Sequence, residues 1–199
     1  MLRSRTLLAI FVTLNFTLCC DGPEGIHLDG WEPICYVDGV PVYTKMTEDE
    51  ICLTSGVNGV YQELYGVAPS EEVYGFFVIR TIDDPVPCMD GPFGTACAWG
   101  EIAPVFGFPD TGATPGPGGL TYMQHWVFIS SIEAHAGFYA FYTMHEYGHA
   151  VLKMHHTTGE ERTAWCEWQD PLWLDWVEPV VDSRCPGAWG RYGYVCPWV

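Results

Sequence analysis

Basic residues are scarce in this chain of 199 residues. Lysine and arginine together number 8, against 25 aspartates and glutamates, which gives a formal net charge of −17 at pH 7. A surface this acidic repels phosphate groups, so we expect neither a nucleic acid nor an anionic membrane surface as a partner. The acidity instead favours solubility outside the cell.

Three other features are absent. The sequence contains no internal repeat, no CxxC pair and, beyond residue 19, no apolar run long enough to predict a transmembrane segment. The missing CxxC spacing argues against a zinc site built from cysteines. Hydrophobic residues make up 48% of the chain and aromatic residues 15%, a composition typical of one globular domain with a substantial core.

Residues 1–19 are predicted to be a signal peptide, because a basic start is followed by an apolar run. Residues 20–199 then form the mature domain. Cleavage between Cys19 and Cys20 would leave Cys20 where a lipid can be attached, although the residues before it match a bacterial lipobox poorly. The expected location is secreted or in the cell envelope, and a lipid anchor at Cys20 stays open.

Nine cysteines in an exported chain predict disulfide bonds. Sequence spacing leaves the connectivity open, and short separations favour pairs that are local in the chain. The local pairs predicted are Cys88–Cys97, Cys185–Cys196 and Cys35–Cys52.

The order of predicted elements indicates an α+β fold in which a small sheet packs on one long helix. Thr47 and Glu50 form a capping-box pattern at the start of the first helix, and Ser130 and Glu133 form another. Residues 104–119 are rich in Gly and Pro and predict a long loop. The elements predicted are a helix from Thr47 to about Tyr65, strands over Val73–Ile82 and Leu120–Ile129, a long helix from Ser130 to about Met154, and a helical segment near Pro171–Asp182.

The motif HExxH lies within the long predicted helix, as His145, Glu146 and His149. Residues four apart lie on one face of a helix, so both imidazoles can bind one metal ion. Glu146 is then placed to take a proton from a water that zinc activates. The motif predicts zinc-assisted hydrolysis, and the alternative is two helix histidines without a metal.

A catalytic zinc site needs a third protein ligand, and the sequence offers three. His155 follows His145 by ten residues, the spacing of the metzincin pattern HExxHxxGxxH, but Leu152 stands where that pattern has its turning glycine. Asp175 would suit a variant of the zincins with an aspartate ligand. Glu178 is the favoured candidate, because of a family resemblance.

The segment Trp176–Asp182 (WVEPVVD) resembles the ligand helix of the gluzincins, in which a glutamate follows the HExxH helix. The resemblance implies that Glu178 is the third zinc ligand and that Asp182, four residues later, orients a zinc-binding histidine. It also implies a zincin-like domain over residues 20–199, peptide hydrolysis, and a substrate that binds in extended form along Leu120–Ile129.

The expected function is therefore that of an exported zinc metallopeptidase acting on a peptide or protein substrate. A non-catalytic zinc-containing binding or structural domain is the alternative, and a disulfide-held module with incidental histidines is a third. The intact Glu146 favours a hydrolase, since a structural site does not require that carboxylate. His155, His156 and several tyrosines could stabilise the transition state, and no spacing selects one of them.

Overall fold

A computed structural model describes the central part of the chain, with α+β architecture as predicted. The predictions for residues 1–19, for nearly all of the loop 104–119 and for Glu133 lie outside the described residues. Within the described part, no helix is long and apolar enough to cross a membrane. The described residues are 28, 30–88, 95–102, 119–130 and 136–188.

Within the described residues, seven strands form two sheets. The strands are β1 (Cys35–Val37), β2 (Val40–Val42), β3 (Gly75–Ile79), β4 (Pro85–Pro87), β5 (Ala96–Ala98), β6 (Gly119–Tyr122) and β7 (Trp126–Ser130). The larger sheet has the order β1-β2-β3-β7-β6, with β2, β3 and β7 parallel and an antiparallel hairpin at each side. A separate antiparallel pair joins β4 to β5.

Helices cover one face of the larger sheet. Helices α1 (Glu48–Tyr65) and α4 (Ala136–Ala150) belong to the same core cluster as the buried residues Phe76, Val78 and Val127 of the central strands, and the short helix α6 (Glu178–Arg184) packs against α1. The alternate residues Phe77 and Phe128 point to the other face, where a smaller aromatic cluster lies. The helices are α1 (Glu48–Tyr65), α2 (Pro69–Glu72), α3 (Trp99–Ile102), α4 (Ala136–Ala150), α5 (Gly159–Leu172) and α6 (Glu178–Arg184), with a π-helical turn, Trp173–Val177, between the last two.

The capping box predicted for α1 is confirmed. The main-chain N–H of Thr47 donates to Glu50 Oε2 at 2.7 Å, and the N–H of Glu50 donates to Thr47 Oγ1 at 3.2 Å. These bonds satisfy two amides that have no partner inside the helix. The helix ends after Tyr65, where Gly66 adopts a left-handed φ of 68°.

The strand predicted over Val73–Ile82 is confirmed in its central part as β3, whose five residues are all buried. The single strand predicted over Leu120–Ile129 is wrong, because β6 and β7 form a hairpin there. Met123 and Gln124 make the turn with φ of 49° and 62°. They are the central residues of a β-turn closed by the His125 N–H, which donates to the carbonyl of Tyr122 at 3.1 Å. Turns with positive φ at both central residues usually contain Gly, Asn or Asp, so the sequence did not indicate this turn.

The long helix predicted from Ser130 to about Met154 is wrong at both ends: Ser130 is the last residue of β7, and α4 ends earlier than predicted, at Ala150. The chain turns at Lys153, which has a φ of 55°, and the N–H of Met154 donates to the carbonyl of Gly148 at 3.1 Å. A left-handed residue cannot continue the helix. Helix α4 packs against β6 and β7, so the small sheet lies on the HExxH helix as expected.

The helical segment predicted near Pro171–Asp182 begins much earlier, at Gly159. A capping box at Thr158 precedes α5. The main-chain N–H of Thr158 donates to Glu161 Oε2 at 2.8 Å, and the N–H of Glu161 donates to Thr158 Oγ1 at 3.2 Å. The sequence carries this Thr-x-x-Glu signal, and the prediction overlooked it.

Among the described residues, two disulfides have both of their cysteines. Cys88–Cys97 is confirmed, and Cys52 of α1 binds Cys185 beyond α6, 133 positions away. The predicted pairs Cys35–Cys52 and Cys185–Cys196 are wrong. The helices α1 and α6 pack side by side, a long-range contact that sequence separation does not reveal.

Candidate metal centre

The HExxH motif lies on the last turns of α4. His145 and His149 are one turn apart and partly exposed, with ring centroids separated by 5.3 Å. The neighbouring Met144 and Tyr147 point the other way and are fully buried. The hydroxyl of Tyr61 donates to the carbonyl of Met144 at 2.6 Å, which joins α4 to α1. The buried face thus fixes which face of the helix carries the two histidines.

A third histidine completes a cluster with these two. One ligand atom from each of His145, His149 and His156 lies within 4.8 Å of the others. His149 Nε2 and His156 Nε2 are 3.1 Å apart. His156 reaches this position because the chain reverses at Lys153, three residues earlier. These three residues could hold a metal ion.

The side chain of Lys153 fastens the turn that carries His156. Its ammonium donates to the carbonyl of Ala150 at 2.6 Å and to that of Gln124 at 3.3 Å. It also forms an ion pair with Glu72 at 2.8 Å. One residue therefore joins the end of α4 to the β6–β7 hairpin and to α2.

Hydrogen bonds orient the rings of the two motif histidines. His145 Nδ1 donates to Gln169 Oε1 at 2.6 Å, and Trp165 Nε1 donates to the same oxygen at 2.8 Å. His149 Nδ1 donates to the carbonyl of Met154 at 2.7 Å. Because an amide oxygen and a carbonyl only accept, Nδ1 carries the proton in both rings. Nε2 is left with a lone pair for a metal ion.

Sequence reasoning missed Gln169, which belongs to the part of α5 that it did not predict as helix. The same helix supplies Trp165, which is fully buried behind the three imidazoles, with ring centroids 4.4 to 4.7 Å from theirs. Gly148 allows α4 to approach α5 closely. A Cβ at that position would lie 2.6 Å from Trp168 Cη2 and 3.0 Å from Trp165 Cη2.

Burial keeps the imidazoles in the form that binds metals. Desolvation lowers the pKa of His145 to about 3, opposed by the hydrogen bond with Gln169. Desolvation likewise lowers the pKa of His149 to about 4 and lowers the pKa of His156. A metal ligand must be unprotonated, so all three rings are ready to bind at neutral pH.

Glu146 lies in the same region but is almost entirely shielded from solvent, with 3% of its surface exposed. Thr121 Oγ1 on β6 donates to Glu146 Oε2 at 2.7 Å. Burial raises the pKa of Glu146 to about 8, and the hydrogen bond from Thr121 opposes that shift. A nearby cation would favour the carboxylate form.

The three histidines and Glu146 line one open cleft with a volume of about 360 Å³. Strand β6 lines the cleft and, among the described residues, is the outermost strand of its sheet. The cleft is lined by Gly119, Leu120, Thr121, Gln124, His145, Glu146, His149, His155 and His156.

The other predicted site residues lie apart from this cluster. Glu178 is partly buried at the start of α6, Asp175 and Asp182 are exposed, and none of the three lines the cleft. His155 does line the cleft, exposed and 3.4 Å from the amide nitrogen of Gln124, but it is not a member of the cluster. The structure thus adds His156 to the motif histidines and gives no support to Glu178 as a ligand.

Comparisons with known proteins do not identify a family for this chain. No protein-family model, curated protein or solved structure matches it. The resemblance to the gluzincins stays a prediction from the sequence.

Proposed function

We propose that this protein is a zinc-dependent hydrolase of peptide bonds, with zinc held by His145, His149 and His156 and with Glu146 as general base. One observation carries the proposal: three metal-competent imidazoles and a buried carboxylate line a single cleft. Three protein ligands and an open fourth position are typical of catalytic zinc sites, whereas structural zinc sites are usually closed by four ligands.

The donor set suits zinc. Neutral imidazole nitrogens are common zinc ligands, at distances of about 2.0–2.1 Å, so two of them on a tetrahedral ion lie about 3.3 Å apart. The 3.1 Å between His149 Nε2 and His156 Nε2 is close to that separation. Among the described residues, the cluster contains neither a thiolate nor a carboxylate.

Zinc, when bound, supplies a Lewis acid that lowers the pKa of water and stabilises negative charge on a carbonyl oxygen. Glu146 takes the proton that the water releases as its oxygen bonds to the peptide carbonyl carbon. Glu146 then gives this proton to the peptide nitrogen as the carbon–nitrogen bond breaks. The products are a carboxylic acid and an amine, and Glu146 returns to its starting state.

Strand β6 supports a peptide as the substrate. Within the part of the chain that the structure describes, it is the edge strand of the sheet, and it lines the cleft beside Glu146. The outer side of an edge strand presents main-chain N–H and C=O groups that can pair with an extended chain.

A non-catalytic zinc-containing domain is the second candidate, and one observation favours it. The carboxylate of Glu146 is nearly inaccessible and already accepts a hydrogen bond from Thr121. A base that water cannot reach would not catalyse hydrolysis. The two candidates share the metal site and differ only in what Glu146 does.

Metal analysis of two neighbouring variants tests the site. We expect about one zinc ion per chain in the wild type, lost in His156→Ala and retained in His155→Ala. Glu178→Ala serves as a second control and should also retain zinc. Loss of zinc in Glu178→Ala but not in His156→Ala would overturn the assignment and favour the gluzincin ligand set.

Glu146→Gln separates the hydrolase from the structural domain. In a hydrolase, kcat on a peptide library should fall by roughly 10²–10⁴-fold, because general base catalysis is lost, while the zinc content stays at the wild-type value. If the wild type binds zinc but cleaves no peptide, or if Glu146→Gln cleaves peptides as fast as the wild type, the hydrolase is refuted and the non-catalytic zinc-containing domain is the remaining candidate.

A further inference from the structure

Two small residues of β6 face the general base. Successive side chains alternate between the faces of a strand, so Gly119 and Thr121 point to α4 while Leu120 and Tyr122 point to the smaller aromatic cluster. Both residues on the α4 side meet the same side chain, that of Glu146.

Gly119 gives the carboxyl group its space. A Cβ at this position would lie 2.5 Å from Glu146 Cγ, 2.7 Å from Oε1 and 2.9 Å from Cδ. Real Cβ atoms do not approach other atoms so closely. Since Gly119 is not in a left-handed conformation, the close approach to Glu146 is what favours glycine here, because a Cβ would force the Glu146 side chain to shift.

Thr121 holds the other oxygen. Its Oγ1 lies 2.7 Å from Glu146 Oε2 and 3.0 Å from the main-chain oxygen of the same residue. A hydroxyl has one proton and can also accept a hydrogen bond. When Glu146 is a carboxylate, Thr121 donates to Oε2. When Oε2 carries a proton, Glu146 donates to Thr121, whose own proton turns to the main-chain oxygen.

We propose that Thr121 and Gly119 are positioning residues for Glu146, with the hydroxyl holding Oε2 and the bare Cα of Gly119 leaving space for Oε1 beside the cleft. This inference rests on the proposed hydrolytic function. A general base alternates between a charged and a protonated form in each turnover, and Thr121 remains hydrogen-bonded to Glu146 in both. The same rotamer can therefore persist through the reaction.

Matched variants separate the hydroxyl from the shape of the side chain. Thr121→Val removes the hydroxyl at nearly constant volume, and Thr121→Ser keeps it. Thr143→Val is the control: Thr143 is a fully buried residue of the same helix as Glu146, and its hydroxyl donates to the carbonyl of Tyr139 at 2.8 Å, not to the site. Gly119→Ala tests the close approach.

We expect Thr121→Val to keep its zinc and its KM within about threefold and to lose about 10–100-fold in kcat, since only the base is misplaced. Thr121→Ser should recover kcat to within about threefold of the wild type, and Thr143→Val should match the wild type. Gly119→Ala should lower kcat with zinc retained. Wild-type kcat in Thr121→Val, or no recovery in Thr121→Ser, would overturn the inference.

A second measurement does not depend on catalysis. In the zinc-free protein, Thr121→Val should raise the unfolding equilibrium constant by about 3–10-fold, and by less than about twofold when Glu146 is already alanine. An equal effect in both backgrounds would show that Thr121 does not act through Glu146. If the wild type neither binds zinc nor cleaves peptides but this coupling is present, the proposed function fails while the contact stands.

Discussion

Replacing Glu146 by Gln should remove a pH dependence from the stability of the zinc-free protein. Burial raises the pKa of Glu146 in the folded protein from the ordinary value of 4.5 to about 8. Between these pH values the folded protein holds a proton that the unfolded chain has released. The stabilisation is therefore complete below pH 4.5 and is lost as the pH rises through 8.

The magnitude follows from one proton. In the interval between the two pKa values, the free energy of unfolding of the wild type should fall by about 1.4 kcal/mol per pH unit relative to Glu146→Gln. From pH 5.5 to 7.5 this amounts to about 3 kcal/mol, a large part of the 5–15 kcal/mol typical of a domain. Glutamine carries no proton to release, and Thr121 can still donate to its amide oxygen.

Urea denaturation of both proteins in EDTA, at several pH values from 5.5 to 9, measures this difference. His145 and His149 also titrate differently in the folded and unfolded states, with their pKa values lowered to about 3 and about 4. Both proteins contain these histidines, so their contribution cancels in the difference. Excess zinc should flatten the slope, because a cation favours the carboxylate of Glu146.

If the difference in the free energy of unfolding between the wild type and Glu146→Gln stays constant from pH 5.5 to 9, the reasoning is refuted. It would mean that the Glu146 carboxyl is hydrated in the folded protein and titrates near its ordinary pKa. The water-excluded position of the carboxylate, on which the pH dependence depends, would then be wrong.

Three further predictions concern the framework of the site. Replacing both cysteines of the Cys52–Cys185 bond by alanine should lower the free energy of unfolding by about 5 kcal/mol, and the same change at Cys88–Cys97 should lower it by about 3 kcal/mol. The difference arises because the two bonds span 133 and 9 positions. Urea denaturation measures both losses, and equal losses would contradict the loop-length argument. Gln169→Leu should weaken zinc binding about 10–100-fold, since His145 loses the acceptor that orients its ring. Competition with a chromophoric chelator measures the affinity, and an unchanged affinity would show that Gln169 does not orient His145 for zinc. Gly148→Ala should lower the free energy of unfolding by about 1–3 kcal/mol despite the better helix propensity of alanine, because the added Cβ would lie 2.6 Å from Trp168. Urea denaturation measures this change, and a stabilised variant would show that the indole moves away.

Local signals predicted the elements that local physics determines. The capping box at Thr47 located the start of α1, and the apolar β-branched and aromatic run from Val73 located the central strand β3. The motif placed His145 and His149 on one face of a helix, as the structure has them. Each of these features depends on residues within a few positions of one another.

Two errors share one physical cause. The strand predicted over Leu120–Ile129 and the helix predicted to Met154 both ran through turns that the sequence did not reveal. Met123, Gln124 and Lys153 make these turns with positive φ, although none of them is glycine. Side chains other than Gly, Asn or Asp seldom adopt this conformation. The side-chain contacts of Lys153 compensate for it, and those contacts join segments distant in sequence.

The turn at Lys153, which the sequence did not indicate, also explains why the sequence offered His155, Asp175 and Glu178 as third ligands and did not offer His156. The residues around Glu178 resemble the ligand helix of the gluzincins, but apolar neighbours determine which face of a helix turns inward. Val177 and Val181, four residues apart, are both fully buried. Glu178 is one residue further along and so lies about 100° around the helix from Val177. The phase of α6 is therefore set by its contact with the core, whereas His156 needs only the reversal of the chain at Lys153 to stand beside His149.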